Sequence, residues 1–243
     1  MSKIYNILVE SAKRSNGTAS DFTLTLLWSL SSPKTIALES VQLFNSQYTI
    51  NNNNNKLYWT DSTATTITST LTKGNYTATS LAAMIQTVMN ADNTGADTYT
   101  VVFSTVTGKM AITNTSGNNF ALNYATTTTS CATTTGFLKT DKTGASTYIG
   151  DNVVSLNTKL YKIYLDFLGS NTYSANQVTG LIAIVPNNVS FGDMIAYNPP
   201  LAKSFVLKNV NDISTFKVTI RDDTDTVVDL NGVDWTMNLC VSV

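Results

Sequence analysis

Only one stretch of this chain, Ser80–Asn90, has the spacing of an amphipathic helix, and most of what surrounds it alternates with a period of two. Leu81, Met84, Ile85, Val88 and Met89 recur at i, i+3, i+4, i+7 and i+8 and make one apolar stripe. Thr79 or Ser80 can cap the first turn through a hydroxyl, and Asn90-Ala-Asp-Asn-Thr-Gly95 ends the helix with turn formers. A helix of about three turns cannot bury its stripe unaided, so it must lie on a sheet. The flanking sequence offers one. A strand ends at Lys73-Gly74-Asn75-Tyr76 before the helix. After it comes a hairpin in which Tyr99, Val101 and Phe103 share a face, the chain turns at Val106-Thr-Gly-Lys109, and Met110 and Ile112 return. Residues 70–124 are therefore expected to organise the rest.

The other strands follow from the same alternation. Ile4–Val9 reads as a buried strand. In Asp21–Leu26 the residues Phe22, Leu24 and Leu26 share a face, and the phase then changes through Leu27-Trp28-Ser29-Leu30, as at a bulge or strand end. Along Ile36–Phe44 the inward set switches from Ile36 and Leu38 to Val41 and Leu43. The five asparagines Asn51–Asn55 read as a loop, because Asn bonds its own backbone and tolerates left-handed geometry. Leu57–Thr60 and Thr65–Leu71 flank a polar turn at Thr60-Asp61-Ser62. Phe120–Tyr124 alternates, Ala125–Thr135 is a threonine-rich stretch read as an exposed loop, and periodicity disappears over residues 140–155. Tyr161, Ile163, Leu165 and Phe167 make the best strand of the second half. Val178–Val185, Met194–Tyr197, Phe205–Lys208 and Phe216–Arg221 follow at sandwich spacing. A last hairpin is expected from Val227–Leu230, an Asn231-Gly232 turn, and Trp235, Met237, Leu239, Val241 and Val243.

These strands, with long loops at Asn51–Asn55, Ala125–Ser155 and Gly169–Gln177, fit two facing sheets of about eight principal strands. The expected fold is all-β: a single jelly-roll sandwich with one short inserted helix, Ser80–Asn90, and elaborated loops. An immunoglobulin-like or Greek-key sandwich is the second arrangement the pattern allows. One domain over residues 1–243 is expected, with a possible loop insertion around 125–155. A core is within reach, since 42% of residues are hydrophobic.

Composition excludes several functions. Charged residues make up 13% of the chain, about half the usual share, and the net charge is −1 with no block of like sign. A phosphate backbone demands clustered Lys and Arg, so direct nucleic-acid binding is not expected. No window approaches 18 apolar residues, so no membrane span is expected, and the apolar run at the N-terminus is too short for a signal peptide. The chain holds no histidine, which removes Ser-His-Asp and Cys-His catalysis and histidine metal sites. Cys131 and Cys240 make no disulfide framework and have no motif partner. Asp222-Asp223-Thr224-Asp225, with Asp229 and Asp234, could hold Ca²⁺, but the order of a calcium loop is missing and a solvated hairpin tip is the reading preferred. Tyr48, Tyr58, Trp59 and Tyr173 lie near loops and could stack on sugars, although strand aromatics are more often core. The sequons at Asn16, Asn75, Asn114 and Asn188 are what so Asn- and Thr-rich a chain yields by chance. No catalytic residue, cofactor or metal is expected, the chain is not read as an enzyme, and the residues of any subunit interface stay unknown at this stage.

Several fragments, in consistent order over most of the chain, carry a resemblance. They are Ile7-Leu-Val-Glu-Ser-Ala-Lys-Arg14, Asp21-Phe-Thr-Leu-Thr-Leu26, Lys34-Thr-Ile-Ala-Leu-Glu-Ser-Val-Gln-Leu43, Gly74-Asn-Tyr-Thr-Ala-Thr-Ser-Leu81, Thr107-Gly-Lys-Met-Ala-Ile-Thr-Asn114, Thr135-Gly-Phe-Leu138 and Asp229-Leu-Asn-Gly-Val-Asp-Trp235. Together they resemble the penton and minor capsid proteins of virophages, polinton-like viruses and nucleocytoplasmic large DNA viruses. The resemblance implies a single jelly roll and a structural role: a homopentamer closing the fivefold vertices of an icosahedral shell, touching trimers of a double-jelly-roll major capsid protein, and located in the virion after assembly inside the host cell. It implies no catalytic residues. Two departures stand out: Val9-Glu10, where a turn of different wording is expected, and the Ala125–Ser155 loop, which the family pattern does not explain. A minor capsid protein elsewhere in the shell and a trimeric receptor-binding fibre head are the alternatives; a polysaccharide-acting enzyme rests only on scattered carboxylates.

Overall fold

The computed structural model describes residues 3–125, 128–156, 158–168, 172–174, 177–201, 203–208 and 210–243. They fall into two compact units, Met1–Gln47 with Thr158–Val243, and Tyr48–Asn157. The first unit has eight principal strands, numbered here in their own order: Ile4–Glu10 (β1), Asp21–Ser31 (β2), Thr35–Phe44 (β3), Leu160–Leu165 (β4), Leu181–Pro186 (β5), Met194–Tyr197 (β6), Asp212–Arg221 (β7) and Thr236–Ser242 (β8). One sheet has the order β1-β8-β3-β6, with the short strand Ser204–Val206 also on β3. The other has the order β5-β4-β7-β2, with Asn16–Gly17 on the far side of β2. Every pairing is antiparallel, and the chain changes sheet at every step except β4 to β5. Eight strands wound this way in two Greek keys are a jelly roll, so the expected fold stands.

Both sheets turn their alternate apolar residues into one core. Val9, Ile36, Val41 and Leu43 meet Phe22, Tyr161, Ile163, Val218 and Ile220 there, with Met237, Leu239 and Val241 from β8. The two phase changes visible in the sequence are bulges. On β3, Leu38 pairs with Leu239 but Ser40 with Asn238, so Glu39 is the extra residue and all four apolar residues stay inward. On β2, Thr25 pairs with Thr215 and Leu30 with Ile213, so residues 26–29 bow out opposite Ser214.

The last hairpin is corrected. Asn231 and Gly232 do take the left-handed backbone such a turn needs, with φ of 52° and 77°. Yet Val227 bridges Arg221, and Val228 donates to the Ile220 carbonyl. β8 is taken by β1 and β3 instead, and Trp235 is claimed by Ser11, whose N–H donates to its carbonyl and whose Oγ accepts from its N–H. A strand with core to gain on both sides outcompetes a local turn.

The expectation of one domain with an insertion around 125–155 is corrected as well. The inserted part is the whole of Tyr48–Asn157, between β3 and β4, and it has a core of its own. Residues 70–124, expected to organise the rest of the chain, lie wholly within this second unit and supply no residue to the jelly-roll core. Lys56–Thr60, Thr66–Thr70, Phe120–Leu122 and Lys142–Ala145 make a four-stranded sheet, and Tyr99–Phe103, Met110–Asn114 and Thr147–Ile149 a three-stranded one. The helix runs Ala78–Asp92 and buries Leu81, Ala82, Ile85 and Met89. Its cap is Thr77, one turn earlier than Ser80: the Thr77 side chain accepts from Ser80 N–H while Ser80 Oγ accepts from Thr77 N–H.

The threonine-rich loop is not simply exposed. Residues 126–127 lie outside the described residues, but Ser130, Cys131, Ala132, Thr134, Thr135 and Phe137 are buried. Cys131 N–H donates to the Lys56 carbonyl, and Thr135 Oγ1 donates to the carbonyls of Cys131 and Ala132. Threonine hydroxyls thus satisfy the backbone that burial would orphan. Periodicity fails across 142–149 because this segment serves one sheet up to Ala145 and the other from Thr147. Of the expected loop 169–177, residues 169–171 and 175–176 lie outside the described residues, and Thr172–Ser174 pairs with Gln177–Thr179.

Candidate assembly surfaces

The acidic candidates do not converge. Asp222 is buried, and its Oδ1 accepts from Thr224 N–H (2.9 Å), Thr224 Oγ1 (2.7 Å) and Thr226 N–H (3.0 Å). Asp225 meets Lys162 Nζ at 2.7 Å, Asp229 accepts from Asn231 N–H, and Asp234 meets Arg14 at 2.8 Å. Among the described residues no three acidic or cysteine side chains gather as a metal would require. The tip is nevertheless not a plain solvated one, because Asp222 organises it from within.

The same turn occurs twice, which the sequence reading missed although the signal was there: Asp61-Ser-Thr-Ala-Thr65 and Asp222-Asp-Thr-Asp-Thr226 share Asp-x-Thr-x-Thr. Asp61 Oδ1 accepts from Thr63 N–H, Thr63 Oγ1 and Thr65 N–H, and the fourth residue is left-handed in both, Ala64 at φ 64° and Asp225 at φ 63°. Asp61 Oδ2 takes two further bonds from Thr94, through its N–H and its hydroxyl. Burial pushes this carboxyl up, but the bonds from Thr63, Thr94 and Thr65 outweigh it and bring it down to about 2.

Cys131 is fully enclosed, and burial pushes its thiol up to about 12; Cys240 is half-buried on the outer face of β8 and is also raised by burial. Trp59 is core, donating Nε1–H to Ser69 Oγ at 3.0 Å with its ring edge-on to Tyr99. Tyr58 hydrogen-bonds Thr129, Tyr48 is half-buried, and the Tyr173 side chain lies outside the described residues. No sugar-stacking platform results among the described residues. An open cleft of about 520 Å³ runs between residues 14–20 and 227–232, and its lining includes one carboxylate, Asp229, where glycoside hydrolysis needs two. No helix among the described residues is long and apolar enough to cross a membrane.

What the jelly roll does offer is two unlike outer faces. Across the β1-β8-β3 sheet the register lays out rows: Ile4, Ser242, Thr35 and Val206; Asn6, Cys240, Ala37 and Ser204; Leu8, Asn238 and Ser40; Glu10, Thr236, Gln42 and Ala196; then Phe44 beside Met194. Its charges are Glu10 and Glu39, and Glu39 is bonded by Asn238. Ile4, Leu8, Phe44, Met194 and Val206 are exposed on it. The opposite face carries Lys162, Lys217 and Arg221, engaged with Asp21 and Asp225. Ile184, beside Lys162, and Leu27 and Trp28 at the β2 bulge are exposed on this second sheet too, so the faces differ mainly in charge, and the one poorer in charge loses less hydration when covered.

The sequence matches no protein-family model and no curated protein. Among solved structures it is similar to the crystal structure of the mavirus penton protein, at 11% identity and a TM-score of 0.51, with all of each chain covered. The chain therefore shares its all-β jelly-roll fold with the mavirus penton protein.

Proposed function

We propose that this chain is a structural capsid protein, the penton that closes the fivefold vertices of an icosahedral double-stranded DNA virus or virophage shell. The observation that carries the reading is the β1-β8-β3-β6 and β5-β4-β7-β2 jelly roll, aligned over its full length with a penton protein. The weakly charged outer face of the first sheet supports it, because charge-poor surface is what a subunit contact leaves exposed in the isolated chain. In this role the protein is a homopentamer built on a heterologous interface, one patch against a different patch, which closes because the rotation does. Its outer neighbours are trimers of a double-jelly-roll major capsid protein, and its place is the virion vertex after assembly in the host cell. No catalysis is part of the role.

The native mass of the purified assembly tests it. A particle of five times the 26.3 kDa chain is the expected result. A species that stays monomeric at high concentration overturns the proposal. A stable trimer favours a fibre head, and a pentamer absent from the vertices favours a minor capsid position.

A further inference from the structure

The β2 bulge holds apolar side chains out in water. Leu26 packs against the sandwich core and Ser29 Oγ donates to Asp212 Oδ2 at 2.8 Å, so both shoulders of the bulge are fixed and Leu27 and Trp28 stand between them. Leu27 is 94% exposed and Trp28 70%, which makes Trp28 the most exposed aromatic among the described residues. No described residue bonds its indole N–H. An indole braced in this way suits an anchoring role, because little ordering remains to be done when it is buried.

At the other end of β2 lies the cleft between residues 14–20 and 227–232. Ala19, Val227, Val228 and Leu230 give it an apolar lining, and Arg14 and Asp229 are its charged members. Its walls are fixed: Trp235 Nε1–H donates to the Ala19 carbonyl at 2.7 Å, Val228 N–H to the Ile220 carbonyl, and Arg14 is held by Asp234. Asp229 accepts from Asn231 N–H through Oδ1, and its Oδ2 has no partner among the described residues. A buried indole needs apolar walls for its ring and an acceptor for its N–H, and a cation beside the ring adds to the contact. The cleft holds all three, and at about 520 Å³ it has room for an indole with a leucine beside it. No copy can fill its own cleft. Asp21 pairs with Thr219 while the bulge lies opposite Ser214, so roughly 17 Å of strand keeps the two apart.

We infer that Leu27 and Trp28 of one copy seat in this cleft of a second copy, with Trp28 Nε1–H donating to Asp229, and that they anchor the contact between subunits. The occupant is a second copy because this chain itself carries the missing half: a ring with a free donor, and an apolar cleft with a free acceptor. Knob and cleft are different patches at opposite ends of one strand. Each copy therefore gives its knob to one neighbour and receives the knob of the other, the head-to-tail arrangement that closes a ring. Five as the number in that ring rests on the penton reading; the match of knob to cleft does not. Two side chains cover less than the roughly 800 Å² per partner of a stable interface, so they anchor a larger contact and do not make all of it.

Tryptophan fluorescence of the full chain tests this, because Trp59 and Trp235, the other two tryptophans, are buried and an iodide quencher reads Trp28. Trp28 is quenched in the diluted, dissociated chain and protected in the assembly. Trp28→Ala keeps the circular dichroism and thermal midpoint of the native chain and weakens association about thirtyfold or more. Crosslinking reads the partner of the knob directly. With Trp28 retained, Thr18→Cys and Leu27→Cys are combined in a Cys240→Ser background and treated with a short bismaleimide. The product is a ladder of chains ending at five, and either cysteine alone gives nothing beyond two chains. A pentameric mass without a ladder, or with Trp28 still quenched, overturns the inference and leaves the penton proposal standing. A ladder ending at two or three keeps the knob-and-cleft contact and overturns the penton. A chain that stays monomeric at high concentration overturns both.

Discussion

At the scale of single residues, the consequential groups are polar ones turned inward. Asp61 is 3% exposed and accepts five hydrogen bonds, so its carboxylate is more stable folded than unfolded. Its folded pKa of about 2 lies below the ordinary value near 4. The stability it contributes, about 2 kcal/mol, is therefore complete above pH 4–5 and is lost as pH falls toward 2. Asp61→Ala should cost about 2–3 kcal/mol in urea unfolding at pH 7 and flatten the acid dependence between pH 5 and 2. The two thiols should separate cleanly. Cys131 is 0% exposed with its pKa pushed up to about 12, so an alkylating reagent at pH 8 should modify Cys240 in the native protein and reach Cys131 only on unfolding. That Asp61 belongs to a turn was legible in the sequence. That Thr94, 33 residues away, completes its shell was not.

At the scale of elements, alternation located most strands because each has one face in a core, and the phase changes in β2 and β3 marked real bulges. Glu39 shows what a bulge is for. Deleting it should move Ser40–Phe44 by one residue, turn Val41 and Leu43 outward, and abolish folding as seen by near-UV circular dichroism. Glu39→Ala leaves the backbone count intact and should change stability by less than about 0.5 kcal/mol. The helix was equally legible, since its stripe and its turn formers are local. The cap expected at Thr79 or Ser80 is Thr77, with Ser80 as its capping-box partner, and Thr77→Ala should lower stability by about 1 kcal/mol in the same urea assay. What local pattern could not resolve was competition. The Asn231-Gly232 turn formed, yet β8 went to β1 and β3. The threonine-rich 125–135 stretch looked like surface because hydroxyls are polar, and it is partly interior because those hydroxyls bond the backbone.

At the scale of the whole chain, the inserted unit interrupts the jelly roll without lending it core residues. The sandwich core is drawn from Ile7–Leu43 and Tyr161–Val241, and the second core from Ile50–Tyr148. Thr158 Oγ1 donates to Gln47 Oε1 at 3.2 Å, so the two ends that frame the insertion meet. Replacing residues 48–157 with a short Gly-Ser linker should therefore leave an all-β protein that melts cooperatively, as followed by far-UV circular dichroism, because closing a short loop costs little. The sequence alone determined the all-β class, the single helix, the inward residues of nearly every strand and the absence of histidine chemistry, since all of these follow from side-chain identity and spacing along a few residues. Only the tertiary structure decided which strands became neighbours and that the chain holds two cores. Those outcomes depend on contacts between segments far apart in the chain, where many pairings satisfy the same alternation and only packing selects among them.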